Sequence, residues 1–347
     1  MTDPEQIPFK QLIGALLDAD TPLPPRYLYR LSDLEDPELS QLRKAWPDIP
    51  KWRRKALLED TESLGESDYL LSFEGLARLA LQDEEAEVRL PAVRSLWEYE
   101  ETDLVDIFRN LMENDSDEQV RAAAAAGLGK YVYLGEIEEL PAEKAQNLEN
   151  HLLSIATGNE PVLLRRRALE SLGYSSREEV PPLIEAAYKS GDREWLITAL
   201  FAMGRSAHEG WEAIVMKELS SSFPAIRAEA SRAAGELELK DAVPTLVEML
   251  DDPDENVRTF SIWSLSQIGG EGVREALENL YEETEDEEEA EYIETALDNL
   301  AFTEDMQLYA LFDFAGEENE TDEDEDKDLE EELLDFDSME DDEDLED

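Results

Sequence analysis

The sequence predicts an all-α fold, a right-handed α-α superhelix of stacked helix pairs. A helical N-terminal cap precedes the array, and a disordered acidic tail follows it. Three observations predict this fold: a dipeptide that recurs about every 31 residues, small residues at fixed places after it, and a composition that changes at both ends. Because one helix pair cannot bury its apolar stripe alone, such copies are stable only when they stack.

The repeat is clearest when the chain is aligned on an apolar residue followed by arginine, as in Val120-Arg121 of the stretch QVRAAAAAGLG. Successive anchors are separated by 32, 44, 31, 31 and 31 residues. Two helices of about 10–12 residues with their turns account for this period. Asp117 and Asp254 stand where an N-cap belongs. The anchors are Arg89, Arg121, Arg165, Leu196, Arg227 and Arg258.

The anchor helix has two different faces. At about 100° per residue, offsets −1, +3, +6 and +7 from the anchor share one mostly apolar face, which we expect to be buried. Alanine on it lets neighbouring helices come close, and glycine at offset +8 ends or closely packs the helix. Offsets +1, +2 and +5 fall on the opposite face, which we expect to be solvated. The anchor arginines should pair with turn aspartates of adjacent copies.

The ends of the chain do not follow the period. Helices are expected at Phe9–Leu17, from Tyr27, at 37–45 and at 51–64, forming the cap. An interval of 44 residues implies an insertion near Tyr131–Pro141, either a loop on the binding side or a lengthened helix. A last helix pair at 271–302 should close the array. The predicted divisions are 1–66 for the helical cap, 67–315 for the repeat array and 316–347 for the acidic tail.

These motifs resemble the HEAT-repeat family, in particular the short HEAT-like repeats of the phycobilisome-lyase type. The matching residues are D-x-x-V-R at Asp117–Arg121 and Asp254–Arg258, A-x-x-x-L-G at Ala124–Gly129 and Ala168–Gly173, and proline in the first helix at Pro181 and Pro244. The resemblance covers about 70–315 and implies a helical solenoid. It specifies function poorly, because solenoids serve many functions.

Composition narrows the possible functions. The formal net charge is −59, and residues 317–347 carry 21 acidic residues against one lysine. Such a field repels nucleic acid and anionic membranes. The chain has no cysteine, and its two histidines, His151 and His208, share no ligand-like spacing. We therefore predict that the protein is not an enzyme and has no catalytic residue, cofactor or metal.

The outer face of the anchor helices carries residue types that protein interfaces favour, namely arginine and large aromatic side chains. We predict that it forms a groove for an extended or helical peptide with acidic and apolar residues. The alternative is that curvature of the array buries these aromatics against the next repeat. The candidate partner-binding residues are Arg94, Arg167, Phe201, Arg232, Phe260 and Trp263.

Two further segments are candidate contact regions. The first is a basic patch, for which the alternatives are binding of an acidic protein segment, such as the chain's own tail, and a solvated helix surface. Its residues are Arg43, Lys44, Lys51, Arg53, Arg54 and Lys55. The tail carries apolar residues at near-helical spacing, so it is either a recognition motif that folds on a basic partner or a solubilising segment. That motif comprises Leu329, Leu333, Leu334 and Phe336.

Together these features favour a cytoplasmic, non-catalytic scaffold or adaptor. It binds a protein partner through the outer face of the anchor helices, which are the second helices of the pairs, and its tail engages a basic surface. Direct nucleic-acid binding and membrane association are not expected. Two alternatives stay open: a HEAT-like lyase-type enzyme subunit, and an acidic chaperone or nucleic-acid mimic for basic proteins.

Overall fold

The computed structural model describes residues 7–206 and 208–302, which contain helices and turns and no strand. The chain divides into two units, 1–233 and 234–347, each described here by itself. The all-α class and the stacking of helix pairs are confirmed. The helices are α1 Phe9–Leu17, α2 Glu38–Ala45, α3 Lys51–Ser67, α4 Glu74–Ala80, α5 Ala86–Ser95, α6 Leu104–Asn114, α7 Glu118–Glu136, α8 Ala142–Thr157, α9 Val162–Leu172, α10 Val180–Tyr188, α11 Arg193–Arg205, α12 Glu212–Glu218, α13 Pro224–Glu236, α14 Val243–Glu248, α15 Glu255–Ile268, α16 Val273–Glu283 and α17 at 287–302.

The N-terminal cap contains three of the four expected helices, α1, α2 and α3. The helix expected from Tyr27 is wrong, because two short 3-10 turns, Pro25–Tyr27 and Tyr29–Leu31, occupy that place. The prolines before this stretch and the positive φ of 53° at Asp33 after it leave too few residues for an α-helical ladder.

In the first unit, a first helix and a second helix pack together in each repeat, as in α4 with α5, α6 with α7, α8 with α9 and α10 with α11. The second helices also contact one another in order, α5 with α7, α7 with α9 and α9 with α11. Val120, Ala124 and Leu128 of α7 are completely buried, as the face at offsets −1, +3 and +7 predicts.

Glycine at offset +8 sets how closely the second helices approach. A Cβ built on Gly173 would lie 2.9 Å from the carbonyl oxygen of Ala202 and 3.0 Å from its Cα. Because those atoms belong to the backbone of α11, only glycine fits without a helix shift. In the second unit, a Cβ on Gly235 would lie 2.9 Å from Cα of Ser264 in α15. The close-packing role of these glycines is confirmed.

The anchor arginines link successive repeats. Arg89 pairs with a turn aspartate as expected, whereas Arg121 and Arg258 pair with glutamates and Arg165 lies over the ring of Trp195. Arg89 is paired with Asp115 of the next turn by two bonds of 2.7 and 2.8 Å, and Arg121 is paired with Glu160 at 2.7 Å. Each arginine also donates to a backbone carbonyl oxygen six or nine residues earlier, which satisfies acceptors at the end of its own first helix or in the turn. These carbonyls belong to Asp83, Met112, Ala156, Ser221 and Asp252.

The insertion near residue 131 lengthens a helix and does not form a long loop. α7 has 19 residues and runs to Glu136, and Asp117 caps it by accepting from the backbone N–H groups of Gln119 and Val120. Tyr131 is fully buried and packs edge-to-face on Phe108, with ring centroids 6.5 Å apart. Its hydroxyl donates to the carbonyl oxygens of Tyr99 and Glu101, each at 3.1 Å.

The second unit repeats the same pairing. α14 and α16 each contact α15, in which Val257 and Leu265 are fully buried and Asp254 accepts from Val257 N–H as an N-cap. Within α17, Ile293, Ala296 and Leu300 are buried. The expected last helix pair is therefore present as α16 and α17.

Candidate binding groove on the second helices

The second helices of the first unit form an open groove of about 640 Å³, which we call the second-helix groove. It follows α7, with α5 on one side and α9 and α11 on the other. Its lining residues are Leu90, Arg94, Trp97, Glu98, Gln119, Ala122, Ala123, Ala126, Gly127, Lys130, Leu163, Arg167, Glu170, Ser171, Tyr174, Phe201 and Arg205.

The alanine run of α7 makes the floor. Ala122, Ala123 and Ala126 recur at helical spacing along one side of α7, and their methyl groups project little above the backbone. At Gly127, an added Cβ would lie 2.7 Å from the indole of Trp97. Trp97 lies against α7 and donates its Nε1–H to the carbonyl oxygen of Ala123 at 3.2 Å. Small side chains on α7 thus create the depth of the groove.

The walls carry arginines that are held by one carboxylate each. Arg94 donates two bonds of 2.9 Å to Glu62, which also raises the pKa of Arg94. Arg167 pairs with Glu170, which is buried and also accepts from the hydroxyl of Thr198 at 2.7 Å. The side chains of Arg94 and Arg167 remain 37% and 39% exposed, so both guanidinium groups can reach a bound ligand.

One end of the groove is an aromatic and cationic stack. The guanidinium of Arg205 lies 4.1 Å from the ring centroid of Phe201 and 4.8 Å from that of Tyr174. Arg232 contacts the Phe201 ring at the same 4.1 Å. Such cation–π contacts hold flat side chains in place without consuming every N–H donor.

The lining of the groove is richer in basic residues than the chain as a whole, although Arg94, Lys130 and Arg167 are paired with Glu62, Glu100 and Glu170. Its lining includes Arg94, Lys130, Arg167 and Arg205 but only two acidic residues, Glu98 and Glu170. In a chain of net charge −59, a concave surface with a cationic excess is where an acidic segment gains electrostatic energy.

Three of the six candidate partner-binding residues, Arg94, Arg167 and Phe201, line this groove. Arg232 is 9% exposed, pairs with Glu229 and donates to the carbonyl oxygen of Phe201. It therefore holds Phe201 in place and is itself largely covered. The other two candidates are partly exposed residues of α15 in the second unit, Phe260 and Trp263.

The expectation that offsets +1, +2 and +5 are solvated is wrong. None of these positions between 90 and 263 is fully exposed, Thr198 is completely buried, and Glu170 is 4% exposed. Because neighbouring second helices lie so close together, long side chains of one helix cover the outer flank of the next. The face is a lined groove with half-buried walls.

The lining residues that were not predicted from the sequence include four with aromatic or basic side chains: Trp97, Lys130, Tyr174 and Arg205. Three of them stand at offset +9, which at about 100° per residue points in nearly the same direction as offsets +2 and +5. The sequence therefore contains this signal at offset +9, beyond the offsets +1, +2 and +5 from which the outer face was predicted.

The basic patch does not form as a patch. Arg53 and Arg54 are buried, because Arg53 donates to the carbonyl oxygens of Ala15 and Thr21, and Arg54 pairs with Asp83 at 3.1 Å. Lys51 is paired with Glu85 and Glu87, and Lys55 with Glu59. Arg43 and Lys44 remain exposed. The other four residues make contacts within the cap and, through Asp83, Glu85 and Glu87, with α5 and the turn before it.

The tail motif, Leu329, Leu333, Leu334 and Phe336, lies outside the described residues. Within 7–206 and 208–302, no group of three or more acidic or histidine side chains is placed to hold a metal ion. No helix in the same ranges is long and apolar enough to cross a membrane.

The helix pairs and the groove along their second helices define an α-helical repeat protein. Residues 73–145 and 212–298 match the family model of HEAT repeats. The match of these two segments confirms the resemblance to HEAT repeats seen in the sequence. No curated protein matches the chain.

Among solved structures, human deoxyhypusine hydroxylase is 19% identical over 85% of this chain and 96% of its own, with a TM-score of 0.37. The complex of CpcE and CpcF of phycocyanin lyase from Nostoc sp. is also 19% identical, over 65% of this chain and 94% of that one, with a TM-score of 0.42. Importin beta is 11% identical over 84% of this chain and 46% of its own, with a TM-score of 0.39. With TM-scores below 0.5, these similarities assign no function to the chain.

Proposed function

We propose that the protein is a non-catalytic scaffold or adaptor in the cytoplasm that binds a protein partner in the second-helix groove. The observation that carries the proposal is the cationic, alanine-floored groove in a strongly acidic chain. The bound element is a helical or extended peptide with apolar residues for the floor and carboxylates for Arg94 and Arg167.

The energetics of the groove support a peptide ligand. The floor and the Trp97, Tyr174 and Phe201 rings offer apolar surface, whose burial drives association. The half-exposed arginines offer charge-assisted hydrogen bonds in a forked geometry that matches carboxylates. Their existing partners hold them in position before binding, which lowers the entropy lost when a ligand arrives.

In-cell photo-crosslinking tests the proposal. A photoreactive amino acid at Gln119, an exposed residue at one end of the groove, should capture a discrete partner. The same group at Asn110, an exposed residue of α6 that does not line the groove, is the matched control. Adding Ala126→Glu, which places a carboxylate on the floor, should remove the Gln119 adduct. Equal adducts at both positions, or no effect of Ala126→Glu, would reject the groove as the binding site.

A further inference from the structure

The length and lining of the second-helix groove suit a short amphipathic helix. On the floor, the lining residues of α7 extend from Gln119 to Lys130, a rise of about 17 Å. Cationic side chains stand on both walls, with Arg94 on α5 and Arg167 on α9, and Lys130 lies at the end of the floor. A ligand helix of about three turns, apolar on one side and acidic on the others, would meet each of these surfaces.

The chain itself contains a segment of this chemistry. Residues 329–339, LEEELLDFDSM, hold five apolar and five acidic residues. In a helix, Leu329, Leu333 and Phe336 share one face by their i, i+4, i+7 spacing, and the five acidic residues lie outside this face together with Leu334 and Met339. The segment would be about 15 Å long as a helix, close to the length of the floor.

From these matches we propose that the second-helix groove binds the segment 329–339 of the same chain. This inference rests on the proposed function, because it assigns the groove an internal ligand that an outside partner must displace. The 26 residues between the last described residue, Phe302, and Leu329 have a maximum extended length of about 90 Å. Because the ligand is tethered, even a weak contact is occupied at a high effective concentration.

The inference also defines the partner. A protein that displaces the segment must present the same combination, an apolar helical stripe with carboxylates around it, and bind more tightly than the tethered segment. The acidic tail then acts as a specificity filter, because ligands that bind through charge alone compete against a ligand with both charge and apolar contact.

The test uses the purified full-length chain with the photoreactive amino acid at Gln119. Irradiation followed by digestion and mass spectrometry should yield adducts to peptides from 329–339, and the group at Asn110 should not. In an equal mixture of ¹⁴N- and ¹⁵N-labelled chains, the adducts should join peptides of the same label. Mixed-label adducts would show that a second copy supplies the segment, and would overturn the proposal, as would adducts without tail peptides.

Paired variants separate apolar recognition from general charge attraction. Leu333→Asp with Phe336→Asp removes the apolar stripe and should lower the adduct yield by about tenfold or more, because two buried side chains are lost. Leu345→Asp adds a charge outside the segment and should leave the yield unchanged. An equal yield from both variants would mean that the tail is held by charge alone, which contradicts the proposal.

The two proposals fail in different ways. If the purified chain forms no tail adduct but Gln119 still captures a partner in cells, the internal ligand is wrong and the adaptor function stands. If the tail adduct forms, but cells expressing the Leu333→Asp, Phe336→Asp chain yield no partner, the internal ligand stands and the adaptor function fails.

Discussion

Two rows of arginines in the first unit differ in their partners, although both lie on the second helices. In the anchor row, Arg89 is nearly buried and bonds both to Asp115 of the next repeat and to carbonyl oxygens of its own repeat. The wall row, represented by Arg94 and Arg167, is more than a third exposed and holds one carboxylate partner each. The same residue type thus stabilises the stack in one row and is available to a ligand in the other.

The largest effect is expected where an anchor is removed. Arg89→Ala leaves Asp115, with a side chain only 4% exposed, and two carbonyl oxygens without their donor. Breaking a buried pair in this way should lower the free energy of unfolding by about 3–5 kcal/mol. Urea denaturation measures the loss.

The matched control is Arg109→Ala on α6, whose paired side chain is 39% exposed. It should cost less than about 1 kcal/mol. A loss of similar size from both substitutions would show that the anchor row has no special role.

A second effect concerns the spacing that brings the wall residues together. Gly173→Ala would push its Cβ into the backbone at Ala202, 2.9 Å away, and should destabilise the first unit by about 1–3 kcal/mol. Gly14→Ala in α1, where no atom lies within 4 Å, should instead stabilise by about 0.5–1 kcal/mol. Thermal unfolding of both variants should therefore move in opposite directions, and a shared direction would contradict the close approach.

Tyr131 satisfies buried backbone carbonyl oxygens with a neutral hydroxyl, whereas the anchor arginines do so with a charged group. Tyr131→Phe removes a buried hydroxyl that donates to two carbonyl oxygens and should cost about 1 kcal/mol at neutral pH. Burial raises the pKa of Tyr131 above its ordinary value near 10. The folded state therefore favours the neutral phenol, and this stabilisation is complete below about pH 10 and is lost as the pH rises further.

The difference in stability between the native chain and Tyr131→Phe should accordingly shrink above about pH 10. Chemical denaturation at pH 8 and at increasing alkaline pH measures it. Tyr69→Phe, at a residue 92% exposed, is the control and should follow the native chain throughout. A difference that stays constant across this range would contradict the assigned cause.

The repeats could be predicted from sequence because each depends on local chemistry. Contacts within one or two neighbouring helices determine the 31-residue period, the N-caps Asp117 and Asp254 and the glycines at offset +8. The groove was only partly predictable. Its depth depends on how α5, α7 and α9 lie side by side, and that distance is a property of three repeats together.

The charge pattern of the sequence does not predict which basic residues of the cap are buried. Arg53 and Arg54 look like surface cations in the sequence, since Lys51 and Lys55 lie beside them. Folding places carbonyl oxygens of Ala15 and Thr21 and the carboxylate of Asp83 around them. These partners are distant in sequence, so local pattern carries no signal for them.

The smallest effect on stability is expected in the wall row, and it is the sharpest test of the distinction. Arg94→Ala removes a partly exposed pair with Glu62 and should change the free energy of unfolding by only about 0.2–1 kcal/mol. The same change should reduce capture by a photoreactive group at Gln119, because a carboxylate of the ligand loses its partner. Arg94→Lys keeps the charge but not the fork, and should recover part of the yield. If Arg94→Ala destabilises the chain as much as Arg89→Ala does, the wall row is structural, and its arginines no longer support ligand binding in the groove.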